Sequence, residues 1–240
     1  MNVARSLFIG AKKDLKAAER VYEAGLYSQS ITHFQQCVEK ANKAFGLINE
    51  VIVPDELQRD VKHNALAIYK KALDYRKQEI DKTLKVAWLH PNVVRHRYFR
   101  ETVQFRKTLI EGQSFLEGFN ADRFFRLKEA DLWFIIDQLD DIRKSKSEIP
   151  DSIGDKMEQI FQEYLDFLGG INTYAADAKR DELILSLNDD KQYVEATDVI
   201  KLGLDRIIDV GYVNYTLYFL ALITIPHAVT SRYLGLVNPT

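Results

Sequence analysis

Cysteine, proline and glycine are all scarce in this chain: one, five and eleven in 240 residues. With Cys37 alone, no intrachain disulfide and no zinc site built on several thiolates can form, and a reducing cytoplasm is the expected setting. Buried among helical apolar neighbours, Cys37 reads as a small core residue rather than a nucleophile. Neither sign of charge is in surplus, since 33 Lys and Arg face 35 Asp and Glu for a net charge of -2. That excludes a global basic field for gripping nucleic acid and confines any such contact to a local patch. Met1 to Phe8 carries no apolar signal-peptide core. There is no Walker loop, no Gly-x-Gly-x-x-Gly and no Gly-x-Ser-x-Gly. Asp137, Asp140 and Asp141 have no His-x-x-x-His or Glu-x-x-His pair beside them and read as a solvated acidic face. No metal or cofactor is expected.

Long apolar runs are also rare. Val210 to Ile225 is the clearest, and Asn214, two threonines and three tyrosines interrupt it. A membrane span needs about 20 apolar residues. The run is therefore expected to be a core helix, with no membrane contact.

Long segments with apolar residues at three- and four-residue spacing make up the rest, and almost nothing alternates with period two. The expected class is all-α. A first helix is predicted over about Val3 to Ala24, ended by Gly25, and a second over about Ser28 to Asn49. The short turn makes them an antiparallel hairpin. A third helix is predicted to open at Pro54-Asp55 and to run through Leu84 towards Trp88, before the break at His90-Pro91-Asn92. A fourth is expected over Val93 to Ile110, then a loop from Gly112 to Gly118. Further helices are expected over Phe124 to Ile142, from Pro150-Asp151 to Gly169-Gly170, near Ala175 to Leu187, over Lys191 to Val210, and in the apolar run. Residues 1–88 and the last helix of 191–240 are expected to form one core, with 89–190 as a helical insertion or flanking layer.

The second helix carries the most specific pattern. Beside its apolar face lies the polar string Gln35, Gln36, Glu39, Lys40 and Lys43. Gln35, Glu39 and Lys43 fall at four-residue steps on one stripe, and Glu39 with Lys43 forms an i,i+4 pair of about 0.2–0.5 kcal/mol. Tyr22-Glu-Ala-Gly-Leu-Tyr-Ser-Gln-Ser-Ile, followed by Gln35-Gln-Cys-Val-Glu-Lys-Ala-Asn-Lys-Ala, resembles the first helical hairpin of HEPN domains, with departures at Cys37 and Asn42. Lys62-His63-Asn64-Ala-Leu66 is similar to a His-Asp-Leu of nucleotidyltransferase-associated members, with Asn64 in place of Asp. Arg232-Tyr233 resembles the Arg-Tyr ending of the family's last helix.

The resemblance implies a helical bundle of up-down antiparallel helices. It also implies a homodimer with a polar cleft that binds RNA or nucleotide, in a prokaryotic defence or toxin-type system. Some members are metal-independent ribonucleases with an Arg-x(4–6)-His motif. Here Arg59 and His63 are separated by three residues and are the catalytic candidates, the His acting on a ribose hydroxyl or leaving group and the Arg holding phosphate. On one α-helix they share a face. Gln35, Gln36, Glu39, Lys43 and Asn64 are the candidates for binding nucleotide or a partner, which the family suggests is a nucleotidyltransferase or an antitoxin.

Two further readings stand beside this one. Arg95, Arg97 and Arg100, interleaved with Tyr98 and Phe99, form the densest basic cluster and are candidates for nucleic-acid contact. Gly25-x-Tyr27 followed by Ile31, Phe34 and Val38 resembles a tetratricopeptide-like hairpin, the signature of a non-enzymatic interaction scaffold. No 34-residue period accompanies it. His33, near the glutamines, is expected to pack beside the turn.

Overall fold

The computed structural model describes residues 2–120, 128–154 and 156–226. Every regular element among them is helical. Their order is α1 (Val3–Glu23), α2 (Tyr27–Ile48), a five-residue π-helix (Leu57–Val61), α3 (Leu66–Ala87), α4 (Pro91–Arg95), α5 (Arg97–Glu117), α6 (Glu129–Gly154), α7 (Met157–Gly169), α8 (Tyr174–Leu187) and α9 (Asp190–Thr224). The chain is an all-α helical bundle protein.

Contacts divide it into two compact units. One holds residues 1–75, 112–137 and 213–240; the other holds 76–111 and 138–212. The helices α3, α5, α6 and α9 each contribute residues to both.

In the first unit, Asn2 caps α1 by accepting from the Ala4 N–H. The helix ends where Gly25 takes a φ of +76°, with the Leu26 N–H bonded to Val21 O and the Gly25 N–H to Tyr22 O. This six-to-one and five-to-two pair is the Schellman ending that glycine favours. It turns α2 back along α1. The Ser30 hydroxyl donates to Ala18 O at 2.8 Å, Lys40 pairs with Asp14 at 2.6 Å, and the Lys40 stem covers Gly10.

The same ending recurs after α2 without the glycine. Glu50 has a φ of +56°, while the Val51 N–H bonds Gly46 O. A side chain there carries the left-handed penalty that glycine avoids. Glu50→Gly is expected to raise stability by about 0.5–1 kcal/mol, read as a higher denaturant midpoint.

Val38, Ala65, Leu66, Tyr69, Ala221 and Leu222 form the main core, which closes α2 and α3 onto the end of α9. Beside it, Ile52, Val61 and Ile68 pack where α2 runs into the π-helix. At Gly46 an added Cβ would lie 3.0 Å from Ile68 and 3.1 Å from Ile52, so any side chain there makes both give way. Asn42, which departs from the family phrase, is 1% exposed and ties three helices together. Its amide donates to Val38 O at 2.9 Å and to Leu217 O at 3.2 Å, and its oxygen accepts from the Tyr69 hydroxyl at 2.5 Å. Burial, with Tyr218 nearby, pushes the Tyr69 hydroxyl well above its ordinary range and keeps it a donor.

In the second unit Trp88 meets Phe99 edge-on at 5.1 Å, Arg106 pairs with Asp81 at 2.5 Å, and Met157 is fully buried.

Four expectations on helix boundaries need correction. The third helix is not continuous from Pro54, because the π-helix ends at Lys62 with a φ of +46° and α3 starts only at Leu66. The segment expected as a loop from Gly112 to Gly118 belongs mostly to α5. There Gly112 sits 3.4 Å, by its would-be Cβ, from Leu73, and Gln113 hydrogen-bonds Asp74. Those contacts with α3 hold the turn helical where glycine alone would weaken it. Rather than restarting at Pro150, α6 continues to Gly154, and α7 begins at Met157. The two helices expected over Lys191 to Ile225 are one, α9. The start expected at Phe124 and the Arg232-Tyr233 ending lie outside the described residues.

Candidate functional site

Helical spacing on α2 places Gln35, Glu39 and Lys43 one turn apart. Glu39 is the centre. Its side chain is only 12% exposed, and the Lys43 ammonium, 13% exposed, sits 2.6 Å from Oε1. Gln35, itself buried, donates to Oε2 at 3.4 Å. A carboxylate so poorly hydrated is held in place by its donors. Gln36 is half-buried on the adjoining stripe.

His63 arrives from 24 residues further along. Its Nδ1 lies 3.3 Å from Glu39 Oε1 and 3.4 Å from Oε2, while the side chain is 69% exposed. The backbone fixes this placement from both sides. Lys62 takes a left-handed φ of +46°, a conformation that costs a non-glycine residue about 1–3 kcal/mol. Asn64 Oδ1 accepts from the Leu66 N–H at 3.0 Å and caps the start of α3. Where the Glu39 carboxylate accepts, Nδ1 is the donating nitrogen and Nε2 is left for another partner. Glu39 thus joins its helix to an imidazole whose reactive nitrogen is free to meet a ligand.

Arg59 shares no partner with His63. The π-helix and the turn at Lys62 remove the common α-helical face that their spacing predicts. The guanidinium instead forms two 2.9 Å bonds to Asp60 and lies 3.9 Å from Glu56. Asp60 is held below the usual carboxylate range by its hydrogen bond to Arg59. Glu56 is lowered first by its bond to Lys71, then by the Val53 N–H. The structure therefore brings together Gln35, Glu39, Lys43 and His63, gives Asn64 a capping role, and directs Arg59 to acidic neighbours.

The basic cluster lies in the second unit. Arg97 pairs with Glu163 at 2.7 Å and with Glu101 at 3.2 Å, and the Tyr98 hydroxyl donates to Glu163 at 3.3 Å. Arg95 and Arg100 are exposed. His33 has a buried Nδ1 with no hydrogen-bond partner. Burial, and then Asp14, raise the Cys37 thiol, which keeps it protonated and poorly nucleophilic. Among the described residues no three His, Cys, Asp or Glu side chains converge as a metal site.

A surface histidine clasped by a carboxylate of the preceding helix, behind a short-turned helical hairpin, occurs within a segment that has a family. The HEPN domain family model matches residues 4–112. Over those residues the chain is similar to HEPN domains. No curated protein and no solved structure gives a significant match. The HEPN segment spans α1 to most of α5 and contains the whole Gln35–Glu39–Lys43–His63 group. It links the chain to nucleotide- and RNA-related functions. Sequence spacing marked both Glu39 and His63, but not their contact. The one local signal for it was the Asn64 cap, which stops α3 from running back through His63.

Proposed function

We propose that the HEPN domain cleaves RNA without a metal ion, with His63 as the proton-transfer residue and Glu39 as the residue that orients it. The observation that carries this reading is the exposed imidazole bonded through Nδ1 to a nearly buried carboxylate. Nε2 then accepts the proton of a ribose 2′-hydroxyl as the oxygen attacks the adjacent phosphorus, and the ester bond to the 5′-oxygen breaks, the departing oxygen taking its proton from water. Lys62, exposed next to His63, and Arg59, 70% exposed, supply positive charge for the phosphate. Arg59 leaves Asp60 at little cost, since both groups are exposed and water replaces the pair. Lys43 stays paired with Glu39 at 2.6 Å.

Such an activity would suit a cytoplasmic defence or toxin-type system. A partner such as a nucleotidyltransferase or an antitoxin would restrain it. The non-catalytic alternative, a scaffold for such a partner, draws on the exposed side chains of Trp133 and Phe134 on α6. The purified chain, incubated with tRNA and mRNA in the presence of a chelator, distinguishes the two. Fragments ending in cyclic phosphate are expected. Intact RNA, together with harmless overexpression, would reject the enzyme and leave the scaffold.

A further inference from the structure

Between Asp81 and Glu101 the chain carries no Asp or Glu, but it carries Lys82, Lys85, Arg95, Arg97 and Arg100. The whole chain has 33 basic and 35 acidic residues, so the imbalance is local. The segment comprises the end of α3, all of α4 and the start of α5, and it belongs entirely to the second unit. Its surface is apolar as well as basic: Val86 is 61% exposed, Trp88 63% and Leu89 75%. Single exposed apolar residues need no partner, but three within four positions mark a contact surface.

Helical geometry puts cations and aliphatic side chains on one face. Lys82, Lys85, Val86 and Leu89 follow at three- and four-residue steps. Bonds from the Trp88 N–H to Leu84 O and from the Leu89 N–H to Val86 O carry the turn past Ala87. The Arg106–Asp81 pair and the Trp88–Phe99 contact set α5 antiparallel to α3, which brings Arg100 and Val103 beside this end. Lys82 is taken by Glu79, and Arg97 by Glu163 and Glu101. Lys85, Arg95 and Arg100 are exposed and make no ion pair among the described residues.

We propose that this face docks on an anionic lipid surface. Val86, Trp88 and Leu89 enter the headgroup boundary, where an indole is favoured, and Lys85, Arg95 and Arg100 meet lipid phosphates. Their stems cover apolar surface while their charged ends stay in water. A patch of one sign is the complement of a surface of uniform opposite charge. The contact lies on the bilayer and spans none of it. Stacked RNA bases would need open rings, whereas Phe99 is buried, Tyr98 donates to Glu163, and Val86 and Leu89 are aliphatic. Docking is independent of Glu39, His63 and any cleavage of RNA.

The test is flotation of the purified chain with vesicles of phosphatidylcholine alone or mixed with phosphatidylglycerol. Binding to the mixed vesicles only, weakening as salt rises, is expected. Lys85→Gln combined with Arg100→Gln should lower that binding about twenty- to thirtyfold, at about fivefold for each cation removed. Leu89→Ser should weaken it with an unchanged thermal melt. In Trp133→Phe the remaining tryptophan is Trp88, and its emission should shift to the blue when mixed vesicles are added. Wild-type protein that does not float, or floats equally with both vesicles, would overturn the proposal. Undiminished flotation of the Lys85→Gln, Arg100→Gln protein would do so too, and would assign the lipid to another element such as α9. So would an unshifted Trp88 emission, or single-stranded oligouridylate bound through Lys85 and Arg100 by protein that ignores vesicles.

Discussion

Replacing His63 by alanine is expected to lower RNA cleavage by about a hundred- to ten-thousand-fold, the range a positioned proton-transfer residue contributes. Folding should hardly change, because the imidazole is mostly exposed and makes one polar contact. Glu39→Gln is the sharper variant. It keeps the shape of the side chain but replaces an acceptor that fixes Nδ1–H with an amide that can satisfy either tautomer. The ring then loses its preferred orientation, and a displacement of about 1 Å can cost about a hundredfold in rate. Single-turnover cleavage of a short RNA, with a thermal melt as control, separates the effects. Equal cleavage by wild type and His63→Ala would remove His63 from the chemistry. A rate lost in Glu39→Gln only in proportion to unfolded protein would make Glu39 structural. Arg59→Ala should weaken rather than abolish cleavage, and its penalty should shrink as salt rises.

The largest effect on stability is expected at Asn42. Asn42→Leu fills most of the space but leaves Leu217 O without its side-chain donor and the Tyr69 hydroxyl without its 2.5 Å acceptor. Leu217 O lies within α9 and keeps its helical donor, so the Tyr69 hydroxyl is the group left stranded, and a stranded buried polar group costs about 1–3 kcal/mol. The expected loss is about 1–3 kcal/mol, moderated by the 3.4 Å contact that the Tyr69 hydroxyl keeps with Asn214 O. Adding Tyr69→Phe removes the stranded hydroxyl, so the double variant should recover about 1–2 kcal/mol relative to the sum of the singles. Urea denaturation of all four proteins gives the cycle. A loss under about 0.5 kcal/mol for Asn42→Leu would mean that the three-helix tie adds nothing beyond apolar packing.

Particular residues show where sequence reading succeeded and where it could not. The turn at Gly25 was legible because a left-handed residue is chemically marked. Glu50 adopts the same conformation with an ordinary side chain, and nothing in its identity announces it. Leu57, Val61, Ala65 and Ile68 look like one α-helical stripe, and Val61, Ala65 and Ile68 are indeed all buried. A wide turn nevertheless satisfies nearly the same apolar spacing, so periodicity reads through the break at Lys62. Gly112 misled because local propensity yields to packing, here its contact with α3, and Pro150 because α6 runs on to Gly154. For the site, the polar string on α2 was visible as a stripe. Its meeting with His63 depends on tertiary geometry across 24 residues, to which the Asn64 cap was the one local pointer.

The five-residue turn of Leu57–Val61 has a consequence for how this site can vary over evolution. Its backbone bond from Lys62 to Leu57 closes a loop one residue wider than the α-helical one. Removing one residue there other than Arg59 would let the segment relax into an ordinary helix and swing the next side chain by about 100° around its axis. His63 would then face away from Glu39 with every functional residue still present. Chain length between Pro54 and Asn64 is thus itself a heritable determinant of the site, and insertions or deletions in this short stretch can silence it as completely as a point substitution.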